Sequence, residues 1–156
     1  MSAKQIKIEK ANCNFEREQL IRPFGFKGGY MSGIWQSASL LTSTSGNTGL
    51  GIGTQSVLWS DASVFSSHSE ASGNALMFAM TEFALKRAKE LAFSNPVELL
   101  EELVPQIPEY GKKITNNPDL RLTFALNSLV GVDNAAWMLF AAENNIINFD
   151  DMIPKE

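Results

Sequence analysis

At 156 residues, of which 44% are apolar and 19% charged, the chain has the length and composition of one globular domain, and its single cysteine excludes a disulfide-dependent fold. Seventeen acidic residues outweigh thirteen Lys and Arg, and the net charge of −4 disfavours nucleic acid as a partner. With no apolar signal segment and no apolar run near 18 residues, we expect a cytoplasmic protein with no membrane partner.

The first third of the sequence predicts a small antiparallel sheet. Alternation that begins with Ile6 and Ile8 predicts a half-buried strand over residues 5–18. Residues 34–42 and 48–55 flank a cluster of Ser, Thr, Gly and Asn, which is typical of a turn. These two segments therefore predict a hairpin.

The second arm of this hairpin carries an unusual glycine pattern. Gly49, Gly51 and Gly53 alternate with Leu50 and Ile52. Because successive side chains of a strand point to opposite faces, the glycines share one face. We expect another backbone or an aromatic ring to lie against that bare face.

The rest of the chain predicts helices. Ser67 followed by Glu70 is a capping-box signal, and Asn95-Pro96 and Asn117-Pro118 each combine a cap with a proline at the first helical position. Gly131 to Asp133 is interpreted as a break with a new cap, and Pro105 and Pro108 as a stop. Helices are predicted over residues 68–92, 96–104, 118–130 and 134–144.

Together these elements predict an α+β fold in a single domain, residues 1–156. The expected architecture is a three-stranded antiparallel sheet followed by a bundle of about four helices. Such a fold positions loops at the ends of the sheet, where function usually lies.

No set of residues predicts a catalytic or metal site. The glycine spacings match neither a dinucleotide fingerprint nor a phosphate loop. The only histidine, His68, lies between serines at a helix start, where a solvated or capping role is expected. Cys13 lies in a predicted strand and is interpreted as a core residue. The chain alone is therefore expected to be inactive.

Two predicted loops, residues 22–33 and 54–66, carry large apolar side chains among glycines and small polar residues. Both loops leave the same end of the predicted sheet. Adjacent apolar loops mark an interface or a ligand site, unless the rings fold back onto the domain's own core. Both alternatives stay open at this point.

The layout resembles the N-terminal capping domain of the enolase superfamily, of the mandelate racemase and muconate lactonizing type. The resemblance rests on the first strand, on "RPFGFKGG" at residues 22–29, on "GNTGLGIG" at residues 46–53 and on "DNAAWMLFAAENN" at residues 133–145. It covers nearly the whole chain. The family often has Glu just after the repeated glycines, where this chain has Thr54.

The resemblance implies a role for the two loops. In that family they close over the mouth of a (β/α) barrel, keep water out and shape substrate choice. It also implies a small carboxylate substrate and assigns five residues to substrate contact, with Lys27 suited to the carboxylate. These candidates are Phe24, Phe26, Lys27, Tyr30 and Trp59.

The same resemblance implies an enzyme whose chemistry lies elsewhere. The family removes a proton next to a carboxylate with a barrel base, while Mg²⁺ held by the barrel stabilises the product anion. A barrel needs about 250 residues, so this chain lacks the C-terminal barrel domain and is expected to be a truncated domain with no cofactor of its own. The parent enzyme would be an Mg²⁺-dependent racemase or epimerase, cycloisomerase or dehydratase.

Another class of function stays open. The chain is alternatively a stand-alone module that binds a small molecule or a protein through residues 22–33 and 54–66. In either case the rings of Phe24, Phe26 and Trp59 would be exposed without a cover, so we expect self-association through them.

Overall fold

Alternating burial along the N-terminal third builds the sheet. The computed structural model describes residues 4–152, and within them the sheet has four antiparallel strands in the order β3-β2-β1-β4 rather than three. The strands are β1 (Ile6–Phe26), β2 (Gly29–Ser43), β3 (Thr48–Gln55) and β4 (Ala92–Phe93). The fourth strand is two residues long, too short for sequence alternation to reveal.

The first two strands extend far beyond their predicted limits and pair as a hairpin of their own. β1 and β2 stay paired to Phe26 and Gly29, so residues 22–33 form the end of a hairpin and not a loop. The connection is the two-residue turn Lys27-Gly28, with φ of 47° and 78°. Both values are left-handed, as a tight hairpin turn of type I′ requires. The glycines of this stretch had masked its strand character.

The described part of the chain contains six helices rather than about four. They are α1 (Val57–Ser60), α2 (Ala62–His68), α3 (Glu70–Ala88), α4 (Pro96–Leu103), α5 (Gln106–Thr115) and α6 (Leu122–Asn144), with a final 3-10 turn over Phe149–Met152. The predicted loop 54–66 therefore contains the end of β3, α1 and most of α2. The predicted helix 68–92 is α3, which ends at Ala88.

One start signal and one stop signal were misplaced. Ser69, not Ser67, caps α3, since its hydroxyl accepts a hydrogen bond from the Ser72 amide at 3.3 Å. Pro105 is the N-cap residue of α5 and Pro108 lies in its first turn, where no proline amide hydrogen is needed. These prolines begin a helix that the sequence analysis missed. The predicted cap at Asn95 is confirmed, because its side chain accepts from the Glu98 amide at 3.1 Å.

The bare glycine face of β3 packs directly on the backbone of α6. A Cβ atom added to Gly51 would lie 2.1 Å from the Gly131 carbonyl oxygen, and one added to Gly49 would lie 2.2 Å from the Ala135 oxygen. Gly131 does not break the helix, contrary to prediction, and residues 118–130 and 134–144 do not form separate helices. The glycine instead lets α6 pass close to Gly53.

Two asparagines of α6 bind the edge of β3. Asn127 donates its side-chain amide to the Thr54 carbonyl, and Asn134 donates to the Ile52 carbonyl, both at 2.8 Å. The residues are seven apart, so they lie on one side of the helix. The edge strand therefore has polar partners along its free side.

The main core lies between the sheet and the helices. Its largest fully buried side chains include Phe93, Phe124, Leu41, Met77 and Met80. By length and composition α6 is apolar enough to cross a membrane, but over half of its most apolar window is buried in this domain. In this structure α6 is a core helix.

One carboxylate is buried near the turn between β2 and β3. The Glu143 side chain forms an ion pair of 2.7 Å with Lys4 and accepts hydrogen bonds from the hydroxyls of Ser43 and Ser45. Burial opposes its charge, but the bonds from Lys4, Ser43, Ser45 and Asn47 outweigh that effect and lower its pKa to about 2. Glu143 thus joins the end of α6 to the hairpin turn.

Candidate functional site

The end of the first hairpin meets α1 through stacked aromatic rings. The rings of Phe26 and Trp59 lie 4.8 Å apart and are within 16° of parallel. Phe24 extends the stack, with its centroid 6.3 Å from that of Phe26. The two segments predicted to lie side by side are therefore in contact, and Trp59 remains 59% exposed.

Lys27 lies at the turn of the hairpin, beside this stack. Its Nζ donates to the Trp59 carbonyl oxygen at 3.1 Å and lies 5.1 Å from the centroid of the Phe26 ring. The backbone contact uses one of the three ammonium hydrogens, so two remain for another acceptor. The cation is therefore fixed in place and still able to bind a ligand.

The large apolar side chains of the two segments divide between the core and the surface. Leu58 is buried, and a methyl group on Gly29 would lie 3.2 Å from it and 3.0 Å from Phe65. These two side chains fold back onto the hairpin, as one of the open alternatives stated. Phe24 and Trp59 do not, since each is at least half exposed.

A carboxylate at the start of α3 fastens the hairpin. Glu70 accepts hydrogen bonds from the amides of Ser32 and Gly33, at 2.8 and 3.2 Å, and from the Ser32 hydroxyl. From its sequence neighbours Glu70 is predicted to cap a helix, because a local pattern does not show contact with a strand 38 residues away. Its observed role is to position the hairpin.

A wide bulge interrupts β1 before the aromatic residues. Gln19 pairs with Gly33 and Phe24 pairs with Met31, so four residues of β1 oppose Ser32 alone. The bulge bends the strand and aims its end. Ile21 in this bulge is fully exposed.

A cleft of about 400 Å³ opens between the hairpin end and α6. Three predicted residues, Phe26, Lys27 and Trp59, line one side of it. The remaining lining residues are Ser60, Arg121, Thr123, Leu126, Asn127 and Val130. Sequence reasoning missed the α6 side of the cleft, although Leu126 and Val130 are four residues apart and exposed on one face of the helix.

The uncharged polar groups of the cleft are already paired. Asn127 Oδ1 accepts from the Ser60 hydroxyl at 2.9 Å and from the Ser56 amide at 3.2 Å, while its amide group binds Thr54. The Thr123 hydroxyl donates to the Ser60 carbonyl at 2.8 Å. These groups hold α1 against α6 and have little bonding capacity left for a ligand.

Arg121 is positioned by a buried carboxylate. Asp61 caps α2 through the amides of Ser63 and Val64, and its other oxygen accepts from the Arg121 amide at 2.9 Å. Burial opposes the Asp61 charge, but these bonds, with one from the Ser63 hydroxyl, outweigh it and lower the pKa. The start of α6 is therefore tied to the start of α2.

Comparison with known proteins identifies the architecture. No family model and no curated protein matches the sequence. L-talarate dehydratase from Polaromonas sp. JS666, solved with Mg and L-glucarate, matches 89% of this chain with a TM-score of 0.54 and 14% identity. L-talarate/galactarate dehydratase from Salmonella typhimurium LT2 matches 92% with a TM-score of 0.54 and 11% identity.

These neighbours are enolase-superfamily enzymes. The chain shares its fold with the matched part of each of these two enzymes. At 14% and 11% identity the likeness establishes the fold alone. The chain spans about one third of the length of these enzymes, 33% and 31%.

The fifth predicted residue, Tyr30, lies apart from the cleft. Tyr30 is 72% exposed and pairs with Gly25 across the hairpin, and it does not line the cleft. Phe24 does not line the cleft either, but it stacks on Phe26, which does. The structure thus brings three of the five candidates to one cleft.

The reactive residue types lie elsewhere in the domain. His68 ends α2, with its Nδ1 2.8 Å from the Ser67 hydroxyl. Burial, and next the charge of Glu82, raise the pKa of Cys13 to about 11, which keeps the thiol protonated. Across residues 4–152, no three His, Cys, Asp or Glu side chains lie close enough to hold a metal ion.

Proposed function

We propose that the chain is the capping and substrate-specificity domain of an enolase-superfamily isomerase or lyase, of the mandelate racemase and muconate lactonizing type. The parent enzyme would remove a proton next to a carboxylate. The observation that carries the proposal is the contact between the hairpin end and α1, where Phe26 and Trp59 stack beside Lys27 on a capping-domain fold. The chain alone would be inactive.

In this proposal the domain closes the active site. Phe24, Phe26 and Trp59 would cover the substrate and exclude water, and Lys27 would bind its carboxylate. Tyr30, exposed on the same hairpin, would contact the substrate's outer part or the barrel. Glu70 and the bulge before Phe24 would hold the hairpin at the angle that closure requires.

The chemistry would be supplied by a barrel domain. The described residues do not fit an Mg²⁺ site, since they offer no cluster of three potential ligands. The metal and the base would therefore belong to the barrel, which would also be the main partner of this chain. One of the structural neighbours was solved with Mg and L-glucarate.

The mass of the native protein tests this proposal. An antibody raised against this domain is used on an extract of the source cells, and the reacting band is sized and sequenced from its N-terminus. A band far above 17.1 kDa with this sequence in it supports an attached barrel. The purified long protein should then exchange the α-proton of a carboxylate with deuterium only when Mg²⁺ is present.

A second candidate function is favoured by the exposure of the rings. Tyr30, Trp59 and Phe24 are 72%, 59% and 50% exposed, which suits a stand-alone module that binds a small molecule or a protein. A native band at 17.1 kDa, with no larger product, would support this module and contradict the capping role.

A further inference from the structure

The two cationic side chains of the cleft, Lys27 and Arg121, differ in their hydrogen-bond partners. Lys27 has the Trp59 carbonyl as a partner. Within residues 4–152 the Arg121 guanidinium has no hydrogen-bond or ion-pair partner, although its backbone amide is held by Asp61. No carboxylate lines the cleft to balance these charges. The two positive charges of the cleft therefore favour an anionic ligand.

The backbone of Lys27 gives a second indication. Its φ of 47° is left-handed, a conformation that Asn or Gly adopts at lower cost in a two-residue hairpin turn. A residue kept in an unfavourable conformation beside a cleft points to a function for its side chain. Lys27 supplies a cation at that point, which Asn would not.

The walls of the cleft are apolar. Phe26 and Trp59 form one wall, and Leu126 and Val130, exposed by 41% and 39%, form the other. The neutral polar groups bind one another, so they do not offer partners to a ligand's hydroxyls. A polyhydroxylated ligand would lose hydrogen bonds to water without replacing them here.

We infer that the cleft binds a carboxylate with a flat apolar or aromatic group, and that Arg121 is its specificity-determining residue. The carboxylate pairs with the Arg121 guanidinium and the Lys27 ammonium, while the apolar group lies between the aromatic stack and α6. The inference deepens the proposed function and rests on it for biological meaning. It separates this chain from a binder of sugar diacids, the class of L-glucarate.

Nuclear magnetic resonance on this chain tests the inference. The probes are phenylacetate, its neutral counterpart phenylacetamide, and the sugar diacid glucarate, each titrated into ¹⁵N-labelled protein at constant ionic strength. Phenylacetate should shift the indole N–H signal of Trp59 and the amides of residues 121–127. A dissociation constant in the range of about 1 to 10 mM is expected for so small a ligand.

Matched variants identify the residue that selects the ligand. Arg121→Gln should weaken phenylacetate binding roughly tenfold or more, since it removes a charge-assisted pair. Arg87→Gln, the same change on α3 away from the cleft, should leave binding unchanged. The amide spectra of both variants verify that they fold.

Every other pattern overturns the inference. Equal binding of phenylacetamide would refute the role of the cations, and equal or tighter binding of glucarate would refute the apolar class. The cleft is not the proposed carboxylate site if no probe shifts the Trp59 signal. The same holds if the Arg121→Gln variant binds phenylacetate as tightly as the unchanged chain does. None of these results alters the native mass, so the failure of this inference remains distinct from a failure of the capping role.

Discussion

At the scale of single residues, specific hydrogen bonds and ion pairs offset the cost of burying a charged group. Glu143 keeps its charge inside the protein because Lys4, Ser43 and Ser45 bind it. Arg121, at the other end of α6, has only its backbone fixed. A carboxylate with all its bonds made, such as Glu143, is typical of a structural role. A charged side chain with no partner among the described residues, such as that of Arg121, is typical of a ligand-binding group.

The Glu143 carboxylate predicts an acid-sensitive contribution to stability. Its pKa is lowered from 4.5 to about 2, so the contribution is complete above pH 4.5 and is lost as the pH falls through about 2. Glu143→Gln should lower the unfolding free energy at pH 7 by about 1 to 3 kcal/mol and flatten its acid dependence. Urea unfolding from pH 7 to pH 2 measures this. The exposed Glu101→Gln is the control, and an equal loss in both variants contradicts the prediction.

Lys27 predicts a conflict between stability and binding. Lys27→Asn should raise the unfolding free energy by about 0.5 to 1 kcal/mol, because Asn tolerates the left-handed φ of 47° better. The same change removes the cation beside Phe26. Thermal unfolding combined with a phenylacetate titration measures both effects. A Lys27→Asn variant that is less stable than the unchanged chain would contradict the prediction. It would show that the hydrogen bond from Lys27 to Trp59 stabilises more than the left-handed φ of Lys27 destabilises.

At the scale of elements, the packing of β3 on α6 determines the shape of the domain. Gly49, Gly51 and Gly53 allow the helix backbone to approach the strand more closely than any side chain would permit. The close approach also brings Asn127 and Asn134 to the strand edge. The packing of β3 on α6 therefore fixes the positions of both the core residues and the α6 side of the cleft.

Gly51→Ala tests the packing. The new methyl group would lie 2.1 Å from the Gly131 oxygen and 2.2 Å from the Ala135 nitrogen, so α6 must shift. We expect a loss of about 3 kcal/mol or more in unfolding free energy. Gly25→Ala is the control, since its methyl group would meet only the exposed ring of Tyr30, at 3.2 Å. Similar losses in both variants would argue against backbone packing as the cause.

The sequence predicted the parts of these elements that depend on local pattern. The α+β class, the cap at Asn95 and the bare face of β3 were all predicted, because alternation and capping are properties of near neighbours. Gly131 was misread as a break, since its partner Gly53 is 78 positions away. Arg121 was missed for the same reason: only the fold brings it to Lys27.

At the scale of the whole molecule, two apolar hollows lie along α6. The cleft with Phe26 and Trp59 lies at the start of α6, and a second apolar hollow lined by Leu50, Ile52 and Met138 lies further along the same helix. Exposed apolar hollows of this kind favour contact with another polypeptide. The proposed barrel is such a partner.

The exposed rings predict association of this chain with itself. Sedimentation velocity over a concentration series should show a rising mean mass for the parent chain, because the rings gain by mutual burial. The double change Phe26→Ser and Trp59→Ser should keep the protein monomeric. Val97→Ser, which changes an exposed apolar residue of α4 outside the stack, serves as the control. A parent chain that stays monomeric at all concentrations would contradict the prediction.

The two asparagines on α6 restrict how such association proceeds. Asn127 and Asn134 occupy carbonyls of β3, the strand at one margin of the sheet. A second chain cannot extend the sheet there without first displacing both amides. We therefore expect any association through this side to use side chains, and the two amides oppose growth of the sheet into a cross-β fibril.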